Sequence, residues 1–181
     1  LTGGSRTALP RQQTLRATID WSYNLLREDE RTVLRRLSVF AGGWTLEAAE
    51  AVCTGDGVDV GDVLDLLTQL VNKSLVSVEC EQGEAVRYRL LETTRQYARE
   101  KLVESGEEEA ALNMHLAYYV DLAARAKMEL RGPDMAGWLD WMMVEYPNIR
   151  AAMEWSITAD PTSGMRIGAS LFWFWRGRTI M

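Results

Sequence analysis

The chain has 181 residues, 47% of them hydrophobic and 25% charged, a composition that builds a packed core and rules out disorder as the main state. Twenty basic against 26 acidic side chains give a formal charge of −6, which argues against a dedicated nucleic-acid binder. His115 is the only histidine, so His-based metal clusters and catalysis by paired histidines are excluded. Cys53 and Cys80 lie 27 residues apart without a CxxC, which is neither a disulfide framework nor a zinc pattern and suits a reducing cytoplasm. No apolar run approaches the roughly 18 residues of a membrane span, and no signal peptide is visible. A first residue of Leu and a helix-like, aromatic stretch over 171–181 lead to the expectation of a piece of a longer polypeptide.

Residues 1–13 have turn composition, with Gly3, Gly4 and Pro10 as breakers, and read as a linker entering a domain. Thr14 is placed to cap a helix whose stripe is Leu15, Ile19, Tyr23 and Leu26. Glu28, Asp29 and Glu30 sit where acidic groups favour the start of a second helix, with Val33, Leu37 and Phe40 inward and Ala41-Gly42-Gly43 ending it. Thr45 caps a third helix through about Cys53, and Thr54-Gly55-Asp56-Gly57 breaks the chain again. Residues 61–73 form a fourth helix with Val63, Leu66, Leu67, Leu70 and Val71 on one broad face. A hairpin follows, with strands at 75–79 and 86–90. Val86, Tyr88 and Leu90 alternate with Arg87 and Arg89, which places the two arginines on the wet face. The next helix turns Leu91, Ala98 and Leu102 inward.

Helices followed by a small hairpin give the order of a winged helix-turn-helix, with 61–73 in the recognition position. The chain beyond Ser105-Gly106 is all helical: a long helix to about Leu130, a break at Arg131-Gly132-Pro133, and a helix to Tyr146. Pro147 fits the first turn of another helix, and Pro161 opens a last one. Trp138 and Trp173 are 35 residues apart and Trp141 and Trp175 are 34 apart, close to the tetratricopeptide period. The fold class is therefore mainly α: a winged helix at 14–103, then a helical segment at 104–181 that opens a tetratricopeptide-like array.

No GxxxxGK[ST] occurs, so the chain does not itself cradle a nucleotide triphosphate, and Gly55-Asp56-Gly57 with Gly61 reads as a plain loop. Asp56, Asp59, Asp62 and Asp65 have a 3-3-3 spacing unlike an EF-hand and read as caps and a solvated face, so no metal site is expected. His115 and Cys53 read as packing residues, and nothing in the pattern points to an enzyme. The recognition segment, GDVLDLLTQLVNK, carries two Asp and one Lys, and residues 14–102 hold 11 basic against 15 acidic side chains, a net of −4. DNA contact is therefore possible but not favoured. The features in its favour are Arg87, Arg89, Arg95 and Arg99, which suit surface or interdomain salt bridges more than phosphate contact.

Several blocks, in order, carry a family resemblance: TLRATIDWSYNLL, VLRRLSVFAGGWTLEAAEAV, LLTQLVNKSLV and RYRLLETTRQYA. They resemble the STAND-class signalling NTPases with an NB-ARC-like ATPase, bacterial transcriptional regulators of the AfsR-like or LuxR-like kind. LRGPDMAGWLDWMMVEYPNIRAAMEW resembles the start of the helical repeats in those proteins. The resemblance implies an ATPase domain upstream, where ATP or ADP would bind, with residues 1–13 as its exit segment. It also implies that the winged helix acts as a lid on that NTPase domain, and that the repeats bind an effector. Many members carry a Met-His-Asp motif whose His reads the nucleotide phosphates, and here Leu90, Leu91 and Glu92 align with it, with Arg95 close by. Leu91 is no phosphate ligand and reads as a core residue of the corner between wing and helix. Trp138, Trp141, Trp155 and Trp173 are candidates for a partner surface, with inter-helix packing as the plainer alternative.

Overall fold

A computed structural model describes residues 5–79, 86–130, 132–133, 135–172 and 174–175, with side chains from residue 14 onward. Among them, the fold is mainly α, with eight helices and one antiparallel hairpin. Helix α1 spans Ser5–Asn24, α2 Glu28–Leu37, α3 Leu46–Cys53 and α4 Val63–Asn72, the last preceded by a 3₁₀ turn at Val60–Asp62. Strands β1 (Ser77–Glu79) and β2 (Arg87–Arg89) pair in the register Ser77↔Arg89, Val78↔Tyr88, Glu79↔Arg87. Then come α5 (Glu92–Ser105), α6 (Glu108–Glu129), α7 (Met135–Ala159) and α8 (Pro161–Ser170).

The core of the winged helix follows from the apolar spacing. Val33, Leu34, Leu37 and Phe40 are fully buried, as are Val63, Leu67 and Leu70 of α4 and Ala98 and Leu102 of α5. The Thr45 hydroxyl accepts from the Ala48 amide at 3.3 Å, satisfying one free donor at the start of α3. Thr45→Ala is expected to lower stability by about 1 kcal/mol, read from a urea denaturation midpoint. Arg36, though charged, is buried because its guanidinium donates to the Cys53 and Gly55 carbonyls at 2.9 and 2.7 Å. Those bonds hold the 55–57 turn, where Gly55, Asp56 and Gly57 all have positive φ.

Trp44 adds a third rung beside the hairpin: its N–H donates to the Tyr88 carbonyl at 2.9 Å and its carbonyl accepts from Tyr88 N–H at 2.8 Å. The approach is tight enough that a Cβ at Gly43 would lie 3.0 Å from the Tyr88 oxygen. The helical segment does not stand apart from this body. Helix α6 packs on α3, and α6, α7 and α8 each pack on the other two.

Several sequence expectations are corrected. Helix α1 begins at Ser5, so Thr14 lies inside it rather than at its cap, and Pro10 falls within the helix instead of breaking the chain. Leu15 is exposed, because the buried stripe of α1 starts at Ile19, where α5 comes alongside. Val86 is exposed as well, at the end of the hairpin beyond Tyr88. Helix α7 runs unbroken through Pro147. Met142, Glu145, Ile149 and Ala152 keep one buried face on both sides of the proline, while Met143 and Pro147 lie on the exposed side. Water there can take the carbonyl that the missing amide leaves, and packing outweighs one lost bond.

Candidate functional site

The outward face of α4 and of the turn before it is acidic and apolar. Asp59, Asp62 and Asp65 are exposed, and between them stand Val60 and Leu64, with Thr68, Gln69 and Asn72 further along. Lys73, the cation at its end, is held by Glu30: its Nζ lies 2.6 and 2.7 Å from the two carboxylate oxygens. Burial pushes the Glu30 carboxyl up, but the Lys73 hydrogen bond, the Arg27 amide and both charges outweigh it and leave its pKa lowered.

The four arginines of the wing and the helix after it are each paired to a carboxylate of the same chain. Arg89 bridges to Glu79 across the hairpin at 3.0 Å, and Arg95 grips Glu92 with two bonds of 2.9 Å. Arg99 bonds Glu108 at 2.6 Å, tying α5 to α6. Arg87 is the exception to the wet-face expectation. Its side chain is only 14% exposed because α7 covers that face of β2, and its guanidinium lies 2.5 Å from Glu145 and 2.7 Å from the Gly43 carbonyl.

Leu91 is 63% exposed, so it is not a core residue of the wing corner. Alternation continues past β2: Tyr88 and Leu90 point in, and Leu91, still extended at ψ 142°, points out. The residues at this corner do not fit a nucleotide phosphate. Leu91 offers no donor, Glu92 is an anion, and Arg95 is already paired to it.

Glu145 organises a buried polar joint that sequence reasoning missed. It is 3% exposed and accepts from Arg87, from the Tyr119 hydroxyl at 2.7 Å and from the Asn148 amide at 3.2 Å. Asn148 in turn donates to the Gly43 carbonyl at 2.9 Å and accepts from the Gly42 amide at 3.0 Å. This network fastens the loop after α2 and strand β2 to α6 and α7. Its signal in the sequence was a Glu and an Asn three apart on the Met142–Ile149–Ala152 face.

His115 of α6 lies beside it, ringed by Phe40 and Tyr119 at 5.1 and 4.7 Å between centroids. Among the described residues its Nε2 has no hydrogen-bond partner, and burial, with the Arg99 charge second, lowers its pKa to about 3. Burial likewise pushes the Cys53 thiol up to about 12, which keeps it unreactive; Cys80 lies outside the described residues.

The candidate tryptophans do not share one place. Trp138 and Trp141 stand edge to face, 5.2 Å apart, in a cleft beside α3 and α6. Trp155 packs elsewhere on α7 and donates from Nε1 to Asn113 at 2.9 Å. Trp173 lies outside the described residues, and Trp175 meets Tyr146 at 5.7 Å. No group of three or more His, Cys, Asp or Glu able to hold a metal occurs among the described residues.

Residues 26–103 match the family described as "Winged helix-turn-helix domain". A protein of Mycobacterium tuberculosis named "Putative HTH-type transcriptional regulator" is 45% identical over 179 residues, which is 98% of this chain and 20% of that protein. A protein of Mycobacterium bovis with the same description matches equally. A second Mycobacterium tuberculosis protein, named only as uncharacterized, is 48% identical over 111 residues, 61% of this chain and 28% of its own length. No solved structure matches. The chain thus spans about a fifth of the length of the curated regulators it matches. With α2 packed on α3, α4 and α5, and the hairpin between α4 and α5 in the chain, residues 26–103 have the fold of a winged helix-turn-helix domain, the family to which the chain belongs.

Proposed function

We propose that this chain is the winged-helix and adjoining helical part of a transcriptional regulator, and that its winged helix docks on protein rather than reading bases. The regulator class is supported by the 45% identity that runs through 98% of the chain. The observation that carries the docking role is the outward face of α4, where Asp59, Asp62 and Asp65 flank Val60 and Leu64 and the terminal Lys73 is neutralised by Glu30. Base readers offer Arg, Lys, Asn or Gln to the groove and cations to the phosphates, whereas carboxylates there repel.

The partner that the family resemblance names is an NTPase domain of the same polypeptide, with the helices beyond α5 as an effector-binding, tetratricopeptide-like array. In that role the winged helix shifts a closed–open population by docking differently in the two states, without touching a nucleotide itself. No catalytic step is assigned to this chain. Among the described residues no helix is long and apolar enough to cross a membrane, and a cytoplasmic setting belongs to the same proposal.

Direct DNA contact is the second reading. The relatives' own description as HTH-type transcriptional regulators favours it, and favours it over an ATPase lid. It requires Arg89, Arg95 and Arg99 to turn from their carboxylates to phosphates. Fluorescence anisotropy of the chain with a labelled duplex at low salt separates the two. The docking role expects no binding; binding that falls with log salt at a slope of about −0.9 per phosphate contact establishes the DNA role instead.

A further inference from the structure

We infer that the cleft between α3, α6 and α7 is a binding site for an aromatic zwitterion, an α-amino acid with an aromatic side chain. The cleft is open to solvent, measures about 390 Å³ and is lined by Glu47 of α3, Leu122 and Arg125 of α6, and Gly137, Trp138 and Trp141 of α7. That volume lies within the range of roughly 300–1,000 Å³ usual for small-molecule sites, and junctions between packed units are where such sites concentrate. This inference goes beyond the docking role and stands independently of it.

Three features define the ligand. The two indoles stand edge to face with each other, 5.2 Å between centroids and partly buried against the core, and both line the cleft, where an aromatic ring can pack against them. Beside them Glu47 and Arg125 form a 2.8 Å ion pair across the junction of winged helix and helical segment. Both side chains stay about half exposed, at 60% and 49%, so the pair adds little to stability and can open at small cost.

The charges then select the class. A simple amine would engage only Glu47, and a simple carboxylate only Arg125, each giving up the existing ion pair for one new one. A molecule carrying an ammonium and a carboxylate on one carbon inserts between them and replaces one ion pair with two, while its ring meets Trp138 and Trp141. Gly137 at the rim adds no side chain to block entry.

The test is isothermal titration calorimetry of the chain with L-phenylalanine, L-tyrosine and L-tryptophan, each beside its own half-ligands: phenethylamine and 3-phenylpropanoate, tyramine and 3-(4-hydroxyphenyl)propanoate, tryptamine and indole-3-propanoate. The expected result is saturable one-to-one binding of at least one amino acid, with its matching half-ligands weaker by tenfold or more. Glu47→Gln and Arg125→Gln should each weaken binding at least tenfold while leaving the urea midpoint of the chain unchanged. Three outcomes each overturn the inference: no saturable heat with any of the three amino acids, a half-ligand that binds as tightly as the zwitterion, or affinities unmoved by both substitutions.

Discussion

Replacing Glu145 by alanine is expected to destabilise the chain by about 3–5 kcal/mol, the cost of leaving a buried charge without its partner. Arg87 is only 14% exposed, and Glu145 is the one carboxylate its guanidinium bridges to among the described residues. The same substitution strips the Tyr119 hydroxyl and one bond of the Asn148 amide, each buried, and each unmade bond adds to the loss. Glu145→Gln should cost less, since a neutral amide still offers an oxygen to Tyr119. The informative comparison is the double variant Arg87→Met/Glu145→Leu. If the pair is a lock that fixes the wing against α7, removing both charges should recover most of the stability lost by either alone. Urea denaturation of the parent chain, Arg87→Met, Glu145→Leu and the double variant gives the coupling energy. A loss below about 1 kcal/mol for Glu145→Ala would show that the joint is held by its apolar surroundings and not by this ion pair.

The same joint marks where sequence reading reached its limit. The helices and the hairpin were legible because each is written locally: acidic residues and then Val33, Leu37 and Phe40 for α2, a threonine cap for α3, and alternation about Tyr88 for β2. What periodicity cannot report is a second layer laid over a face that looks polar. Arg87 alternates with Tyr88 as a wet-face residue should, yet α7, nearly sixty positions later, covers it. Pro147 shows the converse error. Its local rule says start a helix, but the buried face that continues from Met142 to Ala152 overrides it. Leu91 was misplaced for a third reason, because a hydrophobic residue was assumed to be inside when strand alternation turned it out. The charge of the α4 face, in contrast, was readable from GDVLDLLTQLVNK alone, and the structure adds only that Lys73 is spoken for.

Acidification from about pH 6.5 to 4.5 is expected to cost the chain roughly 2–3 kcal/mol through His115 alone, since each pKa unit is worth about 1.4 kcal/mol. The imidazole is 1% exposed, and burial holds its pKa at about 3 in the folded chain against an ordinary value near 6.5. The sign follows from proton uptake. Below pH 6.5 the unfolded chain binds a proton that the folded chain refuses, so stability is complete above that pH and drains away as pH falls toward the folded value. Among the described residues no carboxylate pairs with the ring to offset this: its ring contacts are Phe40 and Tyr119, and the charge it feels, Arg99, pushes the same way as burial. The window down to pH 4.5 belongs to His115, because Glu30, Glu92 and Glu100, all with lowered pKa, surrender their share only below it. Urea denaturation at about pH 7, 6 and 5 should therefore show a slope that vanishes in His115→Leu, whatever that variant does to stability at neutral pH. An unchanged slope in the variant would mean that the imidazole opens to water before it titrates, and that the wall of Phe40 and Tyr119 around it is looser than the packing shows.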